Sequence, residues 1–191
     1  MALTRYALAE GESYLDVTPS VARYLWQTGQ SLAPAYERKM EFFYFSLGAE
    51  HPAYRAFGER LPRERKPYAF YVRVADLPAF LRVIAPVLER RLAESVCAGY
   101  SGELKISFYQ SGLRLVFEKG CLSTVENWKP VIKDDEGSAE FPYLTFLQLV
   151  FGYHSLDELR AAYADCAANG AAGVVLDALF PKKASHVWVI N

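Results

Sequence analysis

The chain of 191 residues lacks the features that mark several large classes of protein. No segment approaches about 18 uninterrupted apolar residues, so we expect no membrane span. The first residues contain no apolar core of signal-peptide length, which favours a cytoplasmic location. Cysteine is scarce, and Cys97, Cys121 and Cys166 form neither a Cys-x-x-Cys pair nor a cluster with histidines. We therefore predict buried free thiols and no metal site.

An excess of charge of one sign is also lacking, because 21 lysines and arginines face 22 aspartates and glutamates. Such a balance gives no field that attracts nucleic acid or anionic lipid over distance, so we expect neither partner. What is abundant is apolar surface: 52% of residues are hydrophobic and 15% are aromatic. That surplus predicts either a lined pocket or a buried partner surface.

The first part of the chain contains two short β-like runs, 3–8 and 13–17, on either side of a turn-forming Glu-Gly-Glu at 10–12. This arrangement predicts a hairpin. Thr18-Pro19 then supplies a helix cap and a first-turn proline, so we predict a helix from there to about Ser31.

Two strongly aromatic runs follow, 41–47 and 68–74. The first is apolar on both faces and predicts an interior strand, and the second predicts another aromatic strand. Between them, His51-Pro52 opens a short helix that reaches Phe57. A helix, strand, helix and strand in succession indicate an α/β segment.

Asp76 is the predicted N-cap of an amphipathic helix whose apolar stripe extends from Leu77 to Leu92. Such a stripe must pack against a sheet. Pro86 lies in the helix interior and removes a backbone donor, so we predict a kink there.

Three runs, 103–110, 113–118 and 121–128, are joined by Ser111-Gly112 and Lys119-Gly120, which are pairs of two-residue hairpin type. They predict a three-stranded antiparallel meander. Its alternation predicts an apolar face of Leu104, Ile106, Phe108, Leu113, Leu115 and Phe117, and a solvent face of Lys105, Ser107, Arg114 and Glu118.

The remainder predicts a polar loop at 133–138 and short helices near 144, 156 and 172. The second of these helices begins with a capping box, Ser155 to Glu158. Residues 185–190 can return as an edge strand.

Chemistry-bearing residues are sparse. Neither His51, His154 nor His186 has a partner at metal-ligand spacing, and turn or surface roles are predicted for all three. The acidic pairs 134–135 and 157–158 are interpreted as a solvated loop and a helix cap. No P-loop, nucleophile elbow or dinucleotide fingerprint occurs in the sequence.

The aromatic residues are the candidates for a ligand site. A small sheet covered by short helices can enclose an apolar cavity, or the same side chains can form a solid core. The residues of this predicted pocket are Phe108, Phe117, Trp128, Phe146, Phe151 and Trp188.

The order of a helix at 77–93, the meander and three short helices resembles the sterol-carrier-protein fold. The segments 102–105, 111–115, 144–149 and 179–181 resemble the C-terminal sterol-carrier-like domain of multidomain GNAT acetyltransferases, including the enhanced intracellular survival group.

Residues 41–74 resemble the closing strand, helix and strand of a GNAT unit. The resemblance implies an α+β chain with a degenerate GNAT-like α/β segment at 1–75 and a sterol-carrier-protein-like domain at 76–191. Its abrupt start within a domain remnant predicts a shortened protein whose N-terminal catalytic unit is missing.

A GNAT catalytic unit binds the acetyl-CoA pyrophosphate on a glycine-rich loop at a helix N-terminus. Residues 17–25, at the corresponding place, contain no glycine. We therefore expect no cofactor in this chain, with acetyl-CoA required only if a catalytic unit is present. In the survival group the terminal carboxylate serves as a base, a role that the resemblance maps to Asn191.

Three hypotheses follow. The leading one is a non-catalytic accessory module of a GNAT-type N-acetyltransferase, inactive alone, which shapes an acceptor pocket or an oligomer interface. The second is a free-standing binder of a fatty-acyl or other apolar small molecule. The third is a structural assembly domain that forms a homo-oligomer.

Overall fold

A computed structural model describes residues 1–63, 71–130 and 137–184 of this chain, which has an α+β fold. The described residues divide into two units. Residues 1–63 form the first unit, and residues 71–130 and 137–184 form the second.

The first unit is built on a 19-residue helix, α1 (Tyr14–Leu32). Ser13 is its N-cap, because the Ser13 hydroxyl accepts a hydrogen bond from the Asp16 N–H at 3.3 Å. The predicted hairpin is therefore wrong: residues 14–17 satisfy their backbone in a helix. The predicted helix end near Ser31 is confirmed.

Thr18-Pro19 lies inside α1, so its predicted role as the helix start is wrong as well. Pro19 leaves the carbonyl of Leu15 without an N–H donor, but Leu15 is exposed and water can reach this end of the helix. Thr18 is fully buried, and its hydroxyl lies 3.0 Å from the Tyr6 hydroxyl.

Two-residue strands β1 (Ala2–Leu3) and β2 (Tyr44–Phe45) pair in parallel. The predicted strand at 41–47 is thus much shorter than expected. It is also not interior, because Phe42 is 59% and Tyr44 is 52% exposed. Among the described residues only β1 pairs with β2, which leaves these rings uncovered.

The short helix α2 (Pro52–Phe57) begins and ends as predicted. Turns of 3-10 helix lie at Ala33–Tyr36 and Gly58–Arg60. The predicted strand at 68–74 lies partly outside the described residues, and its described part, 71–74, is not in a strand.

In the second unit the predicted long helix is two helices, α3 (Leu77–Val83) and α4 (Ala85–Ala93). Asp76 caps α3 as predicted, since its Oδ1 accepts from the Ala79 N–H at 2.9 Å. In place of the kink predicted inside one helix at Pro86, the helix is interrupted at Ile84. Pro86 lies in the first turn of α4, where its missing N–H has no partner to lose.

A five-stranded sheet has the strand order β5-β4-β3-β6-β7. The meander is confirmed, with β3 pairing antiparallel to β4 and β4 to β5. β3 also pairs in parallel with β6, and β6 pairs antiparallel to β7. The strands are β3 (Gly102–Ser107), β4 (Gly112–Glu118), β5 (Cys121–Trp128), β6 (Ala139–Glu140) and β7 (Ala167–Ala168).

The two predicted hairpin turns differ. Lys119 and Gly120 form a two-residue turn with φ angles of 50° and 85°, as a turn with two left-handed residues requires. The other connection is wrong in length, because β3 ends at Ser107 and four residues, 108–111, lead to β4. Tyr109 adopts a φ of 68° in this loop.

The apolar face of the meander is confirmed, since all six of its predicted residues are buried. On the opposite face Ser107 is buried, contrary to expectation. Its hydroxyl accepts a hydrogen bond from the Tyr109 N–H at 3.1 Å, and β6 covers this end of the strand. Arg114 faces solvent, where it pairs with Glu103 at 3.1 Å and with Glu126 at 2.6 Å.

Helices α5 (Tyr143–Val150), α6 (Leu156–Ala162) and α7 (Gly170–Leu179) follow the sheet close to the predicted positions. The capping box at Ser155 is confirmed. One buried apolar cluster joins sheet and helices, with Leu81, Leu88, Leu104, Leu115, Phe146 and Leu176 among its fully buried members.

The predicted loop at 133–138 falls largely, and the predicted strand at 185–190 wholly, outside the described residues. Within the described residues, no helix combines the length and the apolar character that crossing a membrane requires.

Gly112 is a position where a side chain cannot be added. A Cβ there would lie 2.6 Å from Cε3 of Trp128 and 2.8 Å from the carbonyl oxygen of Ile106. Because that oxygen belongs to the paired strand β3, we expect Gly112→Ala to lower the free energy of unfolding by about 1–3 kcal/mol. Urea unfolding followed by circular dichroism measures this.

Gly170→Ala is the matched control. A Cβ at Gly170 would meet no atom within 4 Å, and the residue is in the first turn of α7. This variant should be as stable as the parent or up to about 1 kcal/mol more stable. Equal stability of the two variants would contradict the argument from packing at Gly112.

Candidate functional site

The second unit contains a concave site, which we name the polar cleft. It lies where the start of α3, the loop after β3, the start of β4, the end of β5 and the start of α5 meet. Its volume is about 390 Å³. The residues that line it include Asp76, Leu77, Phe108, Ser111, Asn127 and Tyr143.

Two hydrogen bonds fix one side of the polar cleft. The Tyr143 hydroxyl, at the start of α5, donates to the carbonyl oxygen of Val74 at 2.8 Å. The Asp76 carboxylate is held by its cap bond to Ala79. The ring of Phe108 meets the ring of Tyr143 edge to face, with centroids 5.3 Å apart. Tyr143 therefore both fixes this side of the cleft through its hydroxyl and packs on Phe108 through its ring.

The loop at 108–111 forms the opposite side. The Phe108 N–H donates to the carbonyl oxygen of Ser111 at 2.7 Å, which closes the loop. Tyr109 holds a left-handed φ that is unfavourable for an aromatic residue, and its hydroxyl donates to the carbonyl oxygen of Asp165 at 2.6 Å. Partial burial, reinforced by the charge of Asp165, raises the pKa of Tyr109 and keeps this donor protonated.

The aromatic residues of the predicted pocket do not all meet at one place. Phe108 lines the polar cleft, and Trp128 ends β5 beside it, packed across Gly112. Phe146 is fully buried, and its ring centroid lies 5.3 Å from that of Phe108. The structure therefore brings Phe108 and Phe146 together, whereas Trp128 lies on the solvent face of the sheet, where the Lys105 ammonium is 5.8 Å from its ring centroid.

Two other predicted pocket residues lie apart from this region. Phe117 is buried against Tyr100, and Phe151 is 38% exposed and packs on Phe80. Trp188 and Asn191 lie outside the described residues.

Sequence reasoning missed most of the polar lining. Asp76 was recognised only as a helix cap, and Asn127 and Tyr143 carried no signal because each is an ordinary polar residue at the end of an element. The cap assignment was the available clue, since a carboxylate at the start of a helix that packs on a sheet lies at the sheet's end.

A second, shallow depression occurs in the first unit, with a volume of about 400 Å³ and with Arg5, Tyr6 and His51 among its lining residues. His51 uses both ring nitrogens. Its Nδ1 accepts from the Ala53 N–H at 3.2 Å, so the ring proton lies on Nε2, which donates to the carbonyl oxygen of Tyr6 at 2.8 Å. The predicted turn role of His51 is confirmed as a helix cap.

His154 belongs to a surface network around Glu158. The Glu158 carboxylate accepts from the Ser155 N–H at 2.9 Å and lies 3.3 Å from Nδ1 of His154 and 2.5 Å from Nζ of Lys182. Lys182, then the Ser155 N–H, lower the pKa of Glu158 to about 2. This network caps the start of α6 and gives His154 a surface role, as predicted. His186 lies outside the described residues.

Cys97 and Cys166 are buried free thiols as predicted, whereas Cys121 is exposed, because it begins β5 directly after the turn at 119–120. In the part of the chain that the structure describes, no three His, Cys, Asp or Glu side chains lie together as a metal site would need.

No family model, curated protein or solved structure matches this chain.

Glu158 gives the protein a pH dependence that can be measured. Its pKa in the folded chain, about 2, is below the ordinary value of about 4.3, so its contribution to stability is complete above that ordinary value and is lost as the pH falls towards 2. We expect Glu158→Gln to melt at a lower temperature than the parent at pH 7, by a modest margin because the pair is exposed.

The difference in melting temperature should shrink steadily between about pH 4 and pH 2. Lys182→Ala should reproduce most of it, since Lys182 is the largest cause of the lowered pKa. A difference that stayed constant across this range would show that charge is not responsible.

Proposed function

We propose that this chain is a non-catalytic accessory module of a GNAT-type N-acetyltransferase, in which the second unit shapes the acceptor pocket. The order of α3 and α4, then β3 to β5, then α5 to α7 supports this, because the resemblance to a sterol-carrier-like domain rests on that order. The polar cleft gives the second unit the concave surface that the proposal requires.

The polar cleft is the observation that carries the proposal. It combines one carboxylate, neutral polar groups and an aromatic wall. The two residues of the cleft that could transfer a proton already make structural hydrogen bonds. Asp76 caps α3, and the Tyr143 hydroxyl donates to the carbonyl oxygen of Val74. Groups committed in this way suit recognition of a ligand better than transfer of a proton.

The first unit supports the absence of acetyl-CoA binding. Pyrophosphate binds at helix N-termini whose N–H groups are open and whose surroundings are not negative. At the start of α1 the Ser13 hydroxyl already accepts from the Asp16 N–H, and the Asp16 carboxylate adds negative charge to the first turn. Both features oppose a bound phosphate.

The alternative of a fatty-acyl carrier stays a prediction. An apolar ligand needs a cavity, and the candidates that lie together are packed against other rings. Phe146 lies 5.5 Å from Phe141 and 6.0 Å from Phe180, centroid to centroid, and all three are buried. This packing favours the accessory module over the carrier.

The alternative of an assembly domain is favoured by one observation in the first unit. Tyr24, Tyr36 and Phe42 each expose more than half of their surface. Large exposed rings are frequent where another protein surface binds. A stable oligomer and an accessory module are compatible, because the module can reach its acetyltransferase as either a monomer or an oligomer.

Native mass spectrometry of the purified chain tests the proposal, first alone and then with acetyl-CoA and with a fatty-acid mixture. We expect the bare chain in every case, and no acetylated product when acetyl-CoA and spermine are added together. The physical reason is the occupied and negatively charged start of α1.

Saturable acetyl transfer that is lost on substitution of Ser20 or Tyr24 would overturn the proposal, as would an acetyl-CoA adduct. Retained fatty acid would instead support the carrier. Light scattering on the same sample distinguishes a monomeric module from an assembly domain.

A further inference from the structure

We propose that the polar cleft binds a small amino alcohol and that the Asp76 carboxylate receives its protonated amine. This inference rests on the proposed function, because the acceptor of an N-acetyltransferase is an amine. It adds the chemical class that the cleft selects and the residue that selects it.

The charge of the polar cleft comes from one carboxylate. Asp76 is the charged residue among those that line the polar cleft. Within the described ranges no ion pair reaches it. The Arg82 guanidinium donates to the carbonyl oxygen of Val125, and Arg114 is held by Glu103 and Glu126. A ligand that brings a positive charge therefore completes the site, whereas an anion is repelled.

The Asp76 carboxylate keeps hydrogen-bonding capacity for a ligand. A carboxylate has about four acceptor positions, and the cap bond to the Ala79 N–H uses one of them. The positive end of α3 offsets only about half of the Asp76 charge. Acceptor positions and negative charge thus remain for an ammonium group, which has three donors to place.

The uncharged polar side chains that line the cleft can bind a hydroxyl group. The side chains of Ser111 and Asn127 make no hydrogen bond to any other residue in the described parts of the chain. Each can donate and accept, as a hydroxyl group of a ligand requires. The rings of Phe108 and Tyr143 line the cleft beside them.

Size is consistent with this ligand class. About 390 Å³ is at the lower end of the range of ligand pockets, so the polar cleft suits a small molecule and not an extended chain. A ligand that carries both an amine and a hydroxyl group finds the Asp76 carboxylate and the polar side chains of Ser111 and Asn127 in the same cleft.

Asp76→Asn separates ligand binding from folding. Asparagine caps a helix as well as aspartate does, so α3 keeps its cap while the cleft loses its charge. Asp157→Asn is the matched control: it removes an exposed carboxylate from the first turn of α6, away from the cleft.

The probes are 2-amino-1,3-propanediol and glycerol, which differ only in an ammonium group in place of a hydroxyl. Amide chemical shifts of the whole chain are followed by NMR during titration at neutral pH. We expect saturable shifts for the amino alcohol at Asp76, Ser111, Gly112 and Asn127. The dissociation constant should rise about ten-fold or more for glycerol and for Asp76→Asn, and should not change for Asp157→Asn.

Three results would overturn the inference: no saturable shift at the cleft, equal affinity for glycerol, or equal affinity in Asp76→Asn. None of them affects the mass-spectrometric test with acetyl-CoA, so the proposed function would stand. An acetyl-CoA adduct, in contrast, would overturn the proposed function whatever the amino alcohol does.

Discussion

The pairing of β3 on both of its edges is the constraint on which the second unit depends. β3 pairs with β4 over six residues in antiparallel fashion and with β6 in parallel. Pairing with β4 aligns the apolar residues of the meander on one buried face. Pairing with β6 returns the chain to the end of β3, next to the start of α5. The end of β3 is therefore where a loop, a strand end and two helix starts meet, and the polar cleft lies there.

Features set by neighbours in sequence were predictable. The turn at 119–120 and the capping box at Ser155 need only local residues, and the six apolar positions of the meander follow from its alternation. β6 and β7 were not predictable, because two residues show no period and form strands only through pairing. The start of α1 was misplaced because Pro19 resembles a first-turn proline, while a helix with exposed carbonyls tolerates it later.

The candidate site was less predictable than the fold. Its side chains come from positions 76, 108, 111, 127 and 143, and only Phe108 was among the predicted pocket residues. Aromatic content points to burial, and Phe117 and Phe146 follow that rule as core residues. The polar members are ordinary in sequence. They become a site through tertiary structure, which places them around one concavity.

Arg114 has a consequence for how the sheet finds its alignment. It joins Glu103 of β3 and Glu126 of β5, so a row of negative, positive and negative charges crosses three strands on the solvent face. A slip of one residue between these strands would turn Arg114 towards the apolar face, away from both glutamates. The exposed charges thus act as a register key, which discriminates against misaligned sheets more than it adds to the stability of the correct one.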